Sequence, residues 1–220
     1  MEYAYGNWVM VFFNVVIFLI FLKSVFKPKT KTDWKTYRIF GAFLIALFAE
    51  MYGFPLTIYL LTSYVGNRFL NLDFSHNSGH ILNTIFGIQG DPHFSIFHIA
   101  SYVLIFAGFM IIARAWNVLY KAQKDKILAT TGPYGYVRHP QYAGFILIII
   151  GFLLQWPTLI TVAMAPILII RYIRLGKEEE KDVAKHFGTE YTRYKMKTPA
   201  YFPSIKKVFQ TVFSKLSVSL

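Results

Sequence analysis

Long apolar runs separated by short polar stretches dominate this sequence and predict an all-α integral membrane protein. A helix needs roughly 18 to 20 apolar residues to cross a bilayer. Runs near that length predict about five transmembrane helices, at residues 7–26, 39–65, 97–120, 142–155 and 158–173. The fourth run is short, and only Trp156 and Pro157 separate it from the fifth. We therefore expect the last two helices to form a tight hairpin.

The polar segments that follow these runs complete the predicted organisation. Lys177 to Phe187 predicts a short cytoplasmic C-terminal helix that ends at Gly188. Residues 204–220 carry apolar residues at near-helical spacing with lysines between them, which predicts a basic amphipathic tail on the membrane surface. The domains are then 1–120, with three transmembrane helices and a histidine-containing outer loop at 66–96, a core at 121–203, and the tail.

Composition agrees with a membrane location and narrows the chemistry. Hydrophobic residues make up 55% of the chain and charged residues 15%, whereas soluble domains carry about 25% charged residues. The absence of cysteine excludes disulfides, thiolate catalysis and thiol metal sites. The formal net charge is +12, but the basic residues cluster beside the apolar runs, where such residues contact anionic lipid. We therefore expect the lipid bilayer, and not nucleic acid, as the partner.

The loop charges also predict an orientation. Residues 27–38 contain five lysines and arginines against one aspartate, and residues 121–138 contain four. The loop at 66–96 contains a single arginine, Arg68, apart from its histidines. The positive-inside rule then places the N-terminus outside and the C-terminus inside.

Two polar clusters flank the last hairpin at its cytoplasmic end: Gly132–Tyr142 before it and Lys177–Glu180 after it. In the first, Pro140 marks the start of a helix, whose N–H groups and dipole favour an anion. Arg138 and His139 add donors, and the second cluster supplies three carboxylates. Because a hairpin brings the clusters together, they suit a zwitterionic ligand. Each part alone also has a structural interpretation, as interfacial side chains reaching water, an aromatic belt, or a solvated helix face.

Other polar residues lie inside the apolar runs or in the outer loop. Glu50 and Arg114 are costly in a membrane, and they indicate either a functional cavity or a structural ion pair with each other. The outer loop and its border contain four histidines, at least two of them at metal-ligand spacing, namely His76, His80, His93 and His98. Because cysteines and a dense carboxylate set are lacking, we expect no metal site there.

Several motifs fall between Leu128 and Pro203. They are Thr130-Thr131-Gly132-Pro133-Tyr134, Val137-Arg138-His139-Pro140-Gln141-Tyr142-Ala143-Gly144, Glu179-Glu180, Phe187-Gly188, Tyr191, Tyr194 and Pro199. Each is weak alone, but the combination resembles the isoprenylcysteine carboxyl methyltransferase and phospholipid methyltransferase superfamily. The N-terminal half shows no resemblance of comparable strength.

The resemblance implies S-adenosylmethionine as cofactor and methyl donor, bound on the cytoplasmic side. It assigns cofactor binding to Lys126, Ile127, Leu128, Ala129, Tyr134, His139, Pro140, Gln141, Tyr142 and Glu180. The methionine part of this donor carries an amine and a carboxylate, in agreement with the zwitterion argument. Family members commonly carry arginine just before the acidic pair, where this chain has Gly176 and Lys177. We therefore assign the orientation of an anionic acceptor to Arg138 and Arg174, as the catalytic residues.

The sequence as a whole predicts an integral membrane methyltransferase with a lipophilic or small acceptor. The acceptor could be the carboxylate of a prenylated cysteine, a phospholipid amine, a small thiol or a hydrophobic acid. Displacement at a sulfonium carbon requires alignment of donor and acceptor and no protein nucleophile. Two alternatives stay open. One is an NADPH-dependent membrane reductase, because sterol reductases share a similar hairpin, and the other is a non-catalytic metal-handling membrane protein.

Overall fold

The computed structural model describes residues 5–26, 28, 30–65 and 76–204, which are mostly helical and contain no strand. The helices are α1 (Trp8–Phe26), α2 (Lys31–Phe48), α3 (Leu56–Leu60), α4 (Ile81–Ile85), α5 (Ile96–Asp125), α6 (Pro140–Gln155) and α7 (Leu159–Lys197). The predicted all-α class is confirmed. The tail predicted at 204–220 lies outside the described residues except for Ser204, and so do residues 66–75 of the outer loop.

Several of these helices are long and apolar enough to cross a membrane, as expected of a multi-pass membrane protein. By length and composition, α1, α5 and α7 qualify in the described part of the chain, and α2 with α3 adds a fourth if this bent pair counts as one span. The predicted count of five is not confirmed, because α6 has only 16 residues and falls short of a full crossing.

The second predicted span is broken in its middle. A π-helical turn, Ala49–Gly53, extends α2, and the two halves of the span meet at an angle of 63°. Pro55 lies between them and contributes no N–H to continue the helix. Sequence reasoning treated 39–65 as one continuous run, because apart from Glu50 the residues around the break are apolar enough for a membrane.

Glu50 stabilises this break. Its side chain is buried, and its Oε2 atom accepts the N–H of Thr57, in the first turn of α3, at 2.8 Å. The Thr57 hydroxyl oxygen then accepts the N–H of Leu159, the first residue of α7, at 2.8 Å. The alternative of an ion pair between Glu50 and Arg114 is wrong, since the described residues form no such pair.

Glycines let α5 and α6 pack at very short range. A Cβ atom on Gly108 would lie 2.7 Å from the carbonyl oxygen of Gly144, and one on Gly144 would lie 2.8 Å from the carbonyl oxygen of Gly108. Further along, the Ser101 hydroxyl donates to Gln155 Oε1 at 2.9 Å. In these two contacts the residue number rises along α6 as it falls along α5, so the two helices are antiparallel. Small residues favour such close contacts in membranes.

An aromatic core joins this pair to α2 and α7. Phe40 of α2, Phe145 of α6 and Tyr172 of α7 are fully buried. The ring centroids of Phe40 and Phe145 are 5.1 Å apart, and those of Phe145 and Tyr172 are 5.5 Å apart. Aromatic pairs at such separations stabilise helix contacts beyond their buried area. This core holds the start of α2 near the polar ends of α6 and α7.

The polar end of α7 reverses direction at Gly188. The predicted short helix at Lys177–Phe187 is the continuation of α7, and Gly188 breaks it with φ 50° and ψ −118°, a left-handed conformation that glycine adopts without strain. Residues 15 apart in a straight helix are roughly 22 Å apart, yet Lys195 Nζ is 2.9 Å from Glu180 Oε2. The chain after Gly188 therefore folds back beside the helix that precedes it.

Candidate functional site

A cavity of about 740 Å³ lies at the polar end of this bundle, and we call it the donor cavity. Its walls come from the start of α2, the end of α5, the connection between α5 and α6, and the polar part of α7. Small-molecule sites in proteins usually enclose about 300–1,000 Å³. The donor cavity is therefore large enough for a nucleoside-sized ligand.

The structure brings most of the predicted site residues to this cavity. All predicted cofactor residues except Pro140 line it, namely Lys126, Ile127, Leu128, Ala129, Tyr134, His139, Gln141, Tyr142 and Glu180, and Arg138 lines it as well. Pro140 faces a second cavity. Arg174 is exposed on α7 and lines neither cavity, so the geometry gives its assigned role no support.

The connection after α5 gives the cavity a polar backbone edge. Lys126 ends α5 in a left-handed conformation with φ 55°, which turns the chain out of the helix. In the described part of the chain, the N–H groups of Leu128 and Ala129 have no hydrogen-bond partner, although both residues line the cavity. Two unpaired N–H groups beside a cavity can donate hydrogen bonds to polar atoms of a bound ligand.

Glu180 is the central anion of the site. Its Oε1 atom accepts hydrogen bonds from Arg138 Nε at 2.9 Å, Arg138 Nη2 at 2.8 Å and His139 Nε2 at 3.0 Å. Its Oε2 atom accepts from Lys195 Nζ at 2.9 Å. Both Arg138 and Glu180 are largely buried, with side chains 11% and 13% exposed. Two nitrogens of one guanidinium on one oxygen, with further donors around them, fix this carboxylate firmly.

These contacts determine the ionisation of Glu180, which lies beyond the apolar part of α7. Burial alone would raise its pKa, but the hydrogen bonds from Lys195, Arg138 and His139 outweigh burial and lower the pKa to about 2. Glu180 is therefore ionised at every physiological pH.

The second carboxylate, Glu179, contacts α6 and is more exposed. The Tyr142 hydroxyl donates to Glu179 Oε1 at 2.6 Å, and His139 Nδ1 is 3.7 Å from Glu179 Oε2. The Glu179 side chain is 38% exposed, so part of its hydrogen-bonding capacity remains available to a ligand. The pair of carboxylates therefore divides into a fixed anion and an accessible one.

His139 is held between the two helices by close packing. Its ring stacks on Tyr201 with centroids 5.2 Å apart, and the Tyr201 hydroxyl donates to the carbonyl of Ile173 at 3.0 Å. A Cβ atom on Gly176 would overlap the Tyr201 hydroxyl and lie 3.2 Å from the His139 ring. A larger residue at position 176 would therefore displace both aromatic rings.

The last described segment closes the site from behind. The N–H of Arg138 donates to the carbonyl of Pro199 at 2.8 Å, and the N–H of His139 donates to that of Ala200 at 2.9 Å. Arg138 Nη1 also donates to the carbonyl of Thr198. The Arg138–His139 turn is thus fixed through both its backbone and its guanidinium.

Sequence reasoning assigned no site role to cavity residues from two distant parts of the chain, although Tyr191 and Tyr194 belong to the motifs that carry the resemblance. Thr30, Thr32 and Asp33 come from the start of α2, and Tyr191 and Tyr194 come from the segment that folds back after Gly188. Thr30 and Asp33 form a reciprocal capping box, a motif visible in the sequence that reports a helix start but not a site. The buried Tyr191 hydroxyl lies beside Glu180 and Arg138 without a hydrogen bond of ordinary geometry among the described residues.

A second polar cluster lies at the opposite end of the α5–α6 pair, and we call it the histidine cluster: His80, His93 and His98. Its ring centroids are 5.0–5.2 Å apart. His80 Nδ1 lies 3.0 Å from the carbonyl oxygen of Gln155, and His98 Nε2 lies 2.9 Å from the Tyr102 hydroxyl. Among the residues that the structure describes, no group of three or more His, Asp or Glu side chains is placed to hold a metal ion.

Comparison with known proteins gives a family match in the part of the chain that holds much of this site. Residues 94–185 match the isoprenylcysteine carboxyl methyltransferase (ICMT) family. This range contains α5, α6, the connection between them and the carboxylate pair of α7. The predicted resemblance to the ICMT-like superfamily is confirmed over this segment.

Individual relatives match a similar share of the chain. The protein is 30% identical over 89 residues to Protein-S-isoprenylcysteine O-methyltransferase of Schizosaccharomyces pombe, covering 40% of this chain and 38% of that protein. It is 32% identical over 96 residues to Cobalt-zinc-cadmium resistance protein CzcN of Cupriavidus metallidurans, covering 43% and 44%. Nickel-cobalt-cadmium resistance protein NccN of Alcaligenes xylosoxydans xylosoxydans is 32% identical over 97 residues, covering 43% and 45%. The chain thus spans less than half the length of each of these relatives.

Proposed function

We propose that this protein is a membrane methyltransferase that transfers a methyl group from S-adenosylmethionine to a lipophilic acceptor. The observation that carries this proposal is the convergence of opposite charges on one cavity. Arg138 and His139 come from the connection before α6, whereas Glu179 and Glu180 come from α7. The family match supports methyl transfer as the reaction.

The residues present fit this cofactor. Glu179 and Glu180 would hold its amine, and His139 and Lys195, which bond to Glu180 at 3.0 and 2.9 Å, would neighbour its carboxylate. The free amides of Leu128 and Ala129 would bond to the polar edge of its adenosine. When bound, the cofactor supplies an activated methyl group on a sulfonium.

The protein's own contribution is alignment and exclusion of water. Arg138 is engaged with Glu180 and with the carbonyl of Thr198, so it positions the carboxylate and closes the back wall. Tyr134 is buried, and its carbonyl accepts the Tyr194 hydroxyl at 2.7 Å, which fixes the turn on the cavity wall. A lipophilic acceptor would enter from the bilayer, because the apolar parts of α6 and α7 lie next to the cavity on its membrane side.

The proposed orientation places the donor cavity in the cytoplasm, with the N-terminus outside. The basic residues of 27–38 and 121–138 support it, because cytoplasmic loops are enriched in lysine and arginine. Both segments border the donor cavity.

The test is calorimetric binding of S-adenosylmethionine and of NADPH to the detergent-purified full chain. Loss of a buried charged partner typically costs about 2–5 kcal/mol, so we expect Glu180→Ala to weaken donor binding by about 30-fold or more. Glu178→Ala is the matched control, because Glu178 is exposed on the same helix and does not line the cavity. Unchanged donor binding in Glu180→Ala would overturn the proposal, and binding of NADPH alone would favour the reductase.

A second candidate is metal handling, because two of the relatives are named as metal resistance proteins. The same purified protein should be titrated with Co²⁺, Zn²⁺ and Cd²⁺. Metal binding with no binding of S-adenosylmethionine would favour this candidate over methyl transfer.

A further inference from the structure

A second cavity of about 790 Å³ lies behind the wall of the donor cavity, and we call it the lipid cavity. Most of its lining is apolar and comes from α5 and α6, for example Ile111, Ile146, Leu147 and Ile150. Arg114 is the only charged residue among those that line it in the described part of the chain.

The charge and the apolar lining are separated along the helices. Because Gly108 faces Gly144 in an antiparallel pair, Arg114, six residues further, is level with the start of α6 at Pro140. Ile150 is ten residues into α6, roughly 15 Å deeper. The cavity therefore has a cation at its polar end and aliphatic side chains below it. This arrangement is complementary to an acidic amphiphile whose head group lies at the polar end and whose tail lies along the aliphatic side chains.

Arg114 lacks the partner that Arg138 has. Its side chain is exposed, and no carboxylate of the described residues lies within ion-pair distance of it. A guanidinium beside an apolar membrane surface is costly without a counter-ion, and its planar donors match a phosphate well. An anion of the surrounding bilayer would provide the counter-ion that the described residues do not.

We propose that the lipid cavity binds an acidic phospholipid of the surrounding bilayer, with its phosphate at Arg114 and an acyl chain along α6. This goes beyond the proposed methyl transfer and does not depend on it. Residues of one segment are divided between the two cavities: Val137 and Pro140 line the lipid cavity, whereas Arg138 and His139 line the donor cavity. A bound lipid would therefore pack against the back of the donor-cavity wall.

Native mass spectrometry of the detergent-purified full chain tests this proposal, with phosphatidylglycerol and phosphatidylcholine of the same acyl chains as probes. One favourable charge contact at a membrane surface corresponds to about a fivefold preference. We expect the wild-type protein to prefer phosphatidylglycerol by at least about that factor, and Arg114→Gln to lose the preference. Lys121→Gln, on the same helix but outside the cavity lining, should retain it. Equal binding of both lipids by the wild type, or an unchanged preference in Arg114→Gln, would overturn the proposal.

A second variant locates the acyl chain. Ala143 lines the lipid cavity and is half-buried, so Ala143→Phe fills the space without changing any charge. It should weaken the binding of both lipids. If this variant binds both lipids as tightly as the wild type does, the lipid lies elsewhere and the proposal is wrong. Binding of S-adenosylmethionine to Arg114→Gln should be unchanged, so failure of this proposal is distinguishable from failure of the proposed function.

Discussion

The two ends of the α5–α6 pair both carry histidines, yet they are built from different interactions. At the donor cavity, His139 belongs to an ion cluster in which an arginine, a lysine and a histidine converge on Glu180. In the histidine cluster, the rings of His80, His93 and His98 pack on one another and on Trp156, and two of them bond to a carbonyl or a hydroxyl. The first end surrounds a cavity, whereas the second is filled by aromatic rings.

The difference shows that the groups bonded to a histidine, more than the histidine itself, determine whether a polar cluster can bind a charged ligand. Glu180 combines burial with an ionised oxygen, so the site keeps a fixed charge that a ligand must match. The carboxylate of the histidine cluster, Asp91, contacts His93 but is 56% exposed, and water screens it. In the sequence, the spacing of the loop histidines raised the question of a metal site. Spacing alone does not reveal which groups the histidines contact in the fold.

The largest effect on stability is expected at Glu180. Glu180→Ala leaves Arg138 and His139 without their carboxylate in a largely buried position, which should lower the free energy of unfolding by about 3 kcal/mol. Glu178→Ala should be close to wild type, because that side chain is exposed. Thermal unfolding in detergent measures both, and equal midpoints for the two variants would contradict the importance of the ion cluster.

The pH dependence of the stability that Glu180 contributes follows from its pKa. Its pKa is lowered from the ordinary 4.5 to about 2, so its stabilisation is fully present above 4.5 and is lost as the pH falls through about 2. The advantage of wild type over Glu180→Gln should therefore persist at pH 5 and shrink only below about 4.5.

A smaller effect is expected from packing at the other end. A Cβ atom on Gly79 would overlap the buried ring of Trp156, so Gly79→Ala should destabilise the protein by about 2 kcal/mol through overpacking. Combination with Trp156→Leu should recover part of this loss, since the smaller side chain frees the space. Donor binding should be unaffected in Gly79→Ala, and a large loss of it would mean that the two ends are coupled.

The smallest effect is expected at Asp91. Its side chain accepts the N–H of His93 at 3.0 Å and contacts His93 Nδ1 at 2.7 Å. In Asp91→Asn the amide oxygen can still accept the backbone N–H, and the lost ion pair is exposed. The unfolding midpoint should therefore not change measurably, and a clear decrease would show that the histidine cluster depends on charge after all.

Local sequence signals predicted the helical class, a helix end at Gly188 and the part of the donor-cavity lining that lies between Lys126 and Tyr142, together with Glu180. The cavity residues of 126–142 are close together in the chain, so a motif could identify them before any fold was known. The capping box of Thr30 and Asp33 predicts a helix start, but only the aromatic contacts of Phe40 and Phe145 bring that start to the cavity. Contacts between distant segments leave no such local pattern.

The break at Glu50 was missed for a different reason. Hydropathy over 39–65 is compatible with one straight span, and Glu50 suggested a partner on another helix. The structure pairs one oxygen of this carboxylate with the N–H of Thr57, only seven residues away, at the point where the helix restarts, and the other oxygen, Oε1, is buried without a hydrogen-bond partner among the described residues. A buried charge in an apolar run can thus report an opened helix end.

The reversal at Gly188 also sets the order in which the molecule can be completed during synthesis. Every candidate membrane span of the described residues precedes Gly188 in its apolar part, whereas Lys195 and the carbonyls of Thr198, Pro199 and Ala200 that hold the Arg138–His139 turn come after it. A growing chain could therefore insert these spans before its donor cavity has a back wall. Translation would separate membrane insertion from the acquisition of a binding site, with the site assembled last.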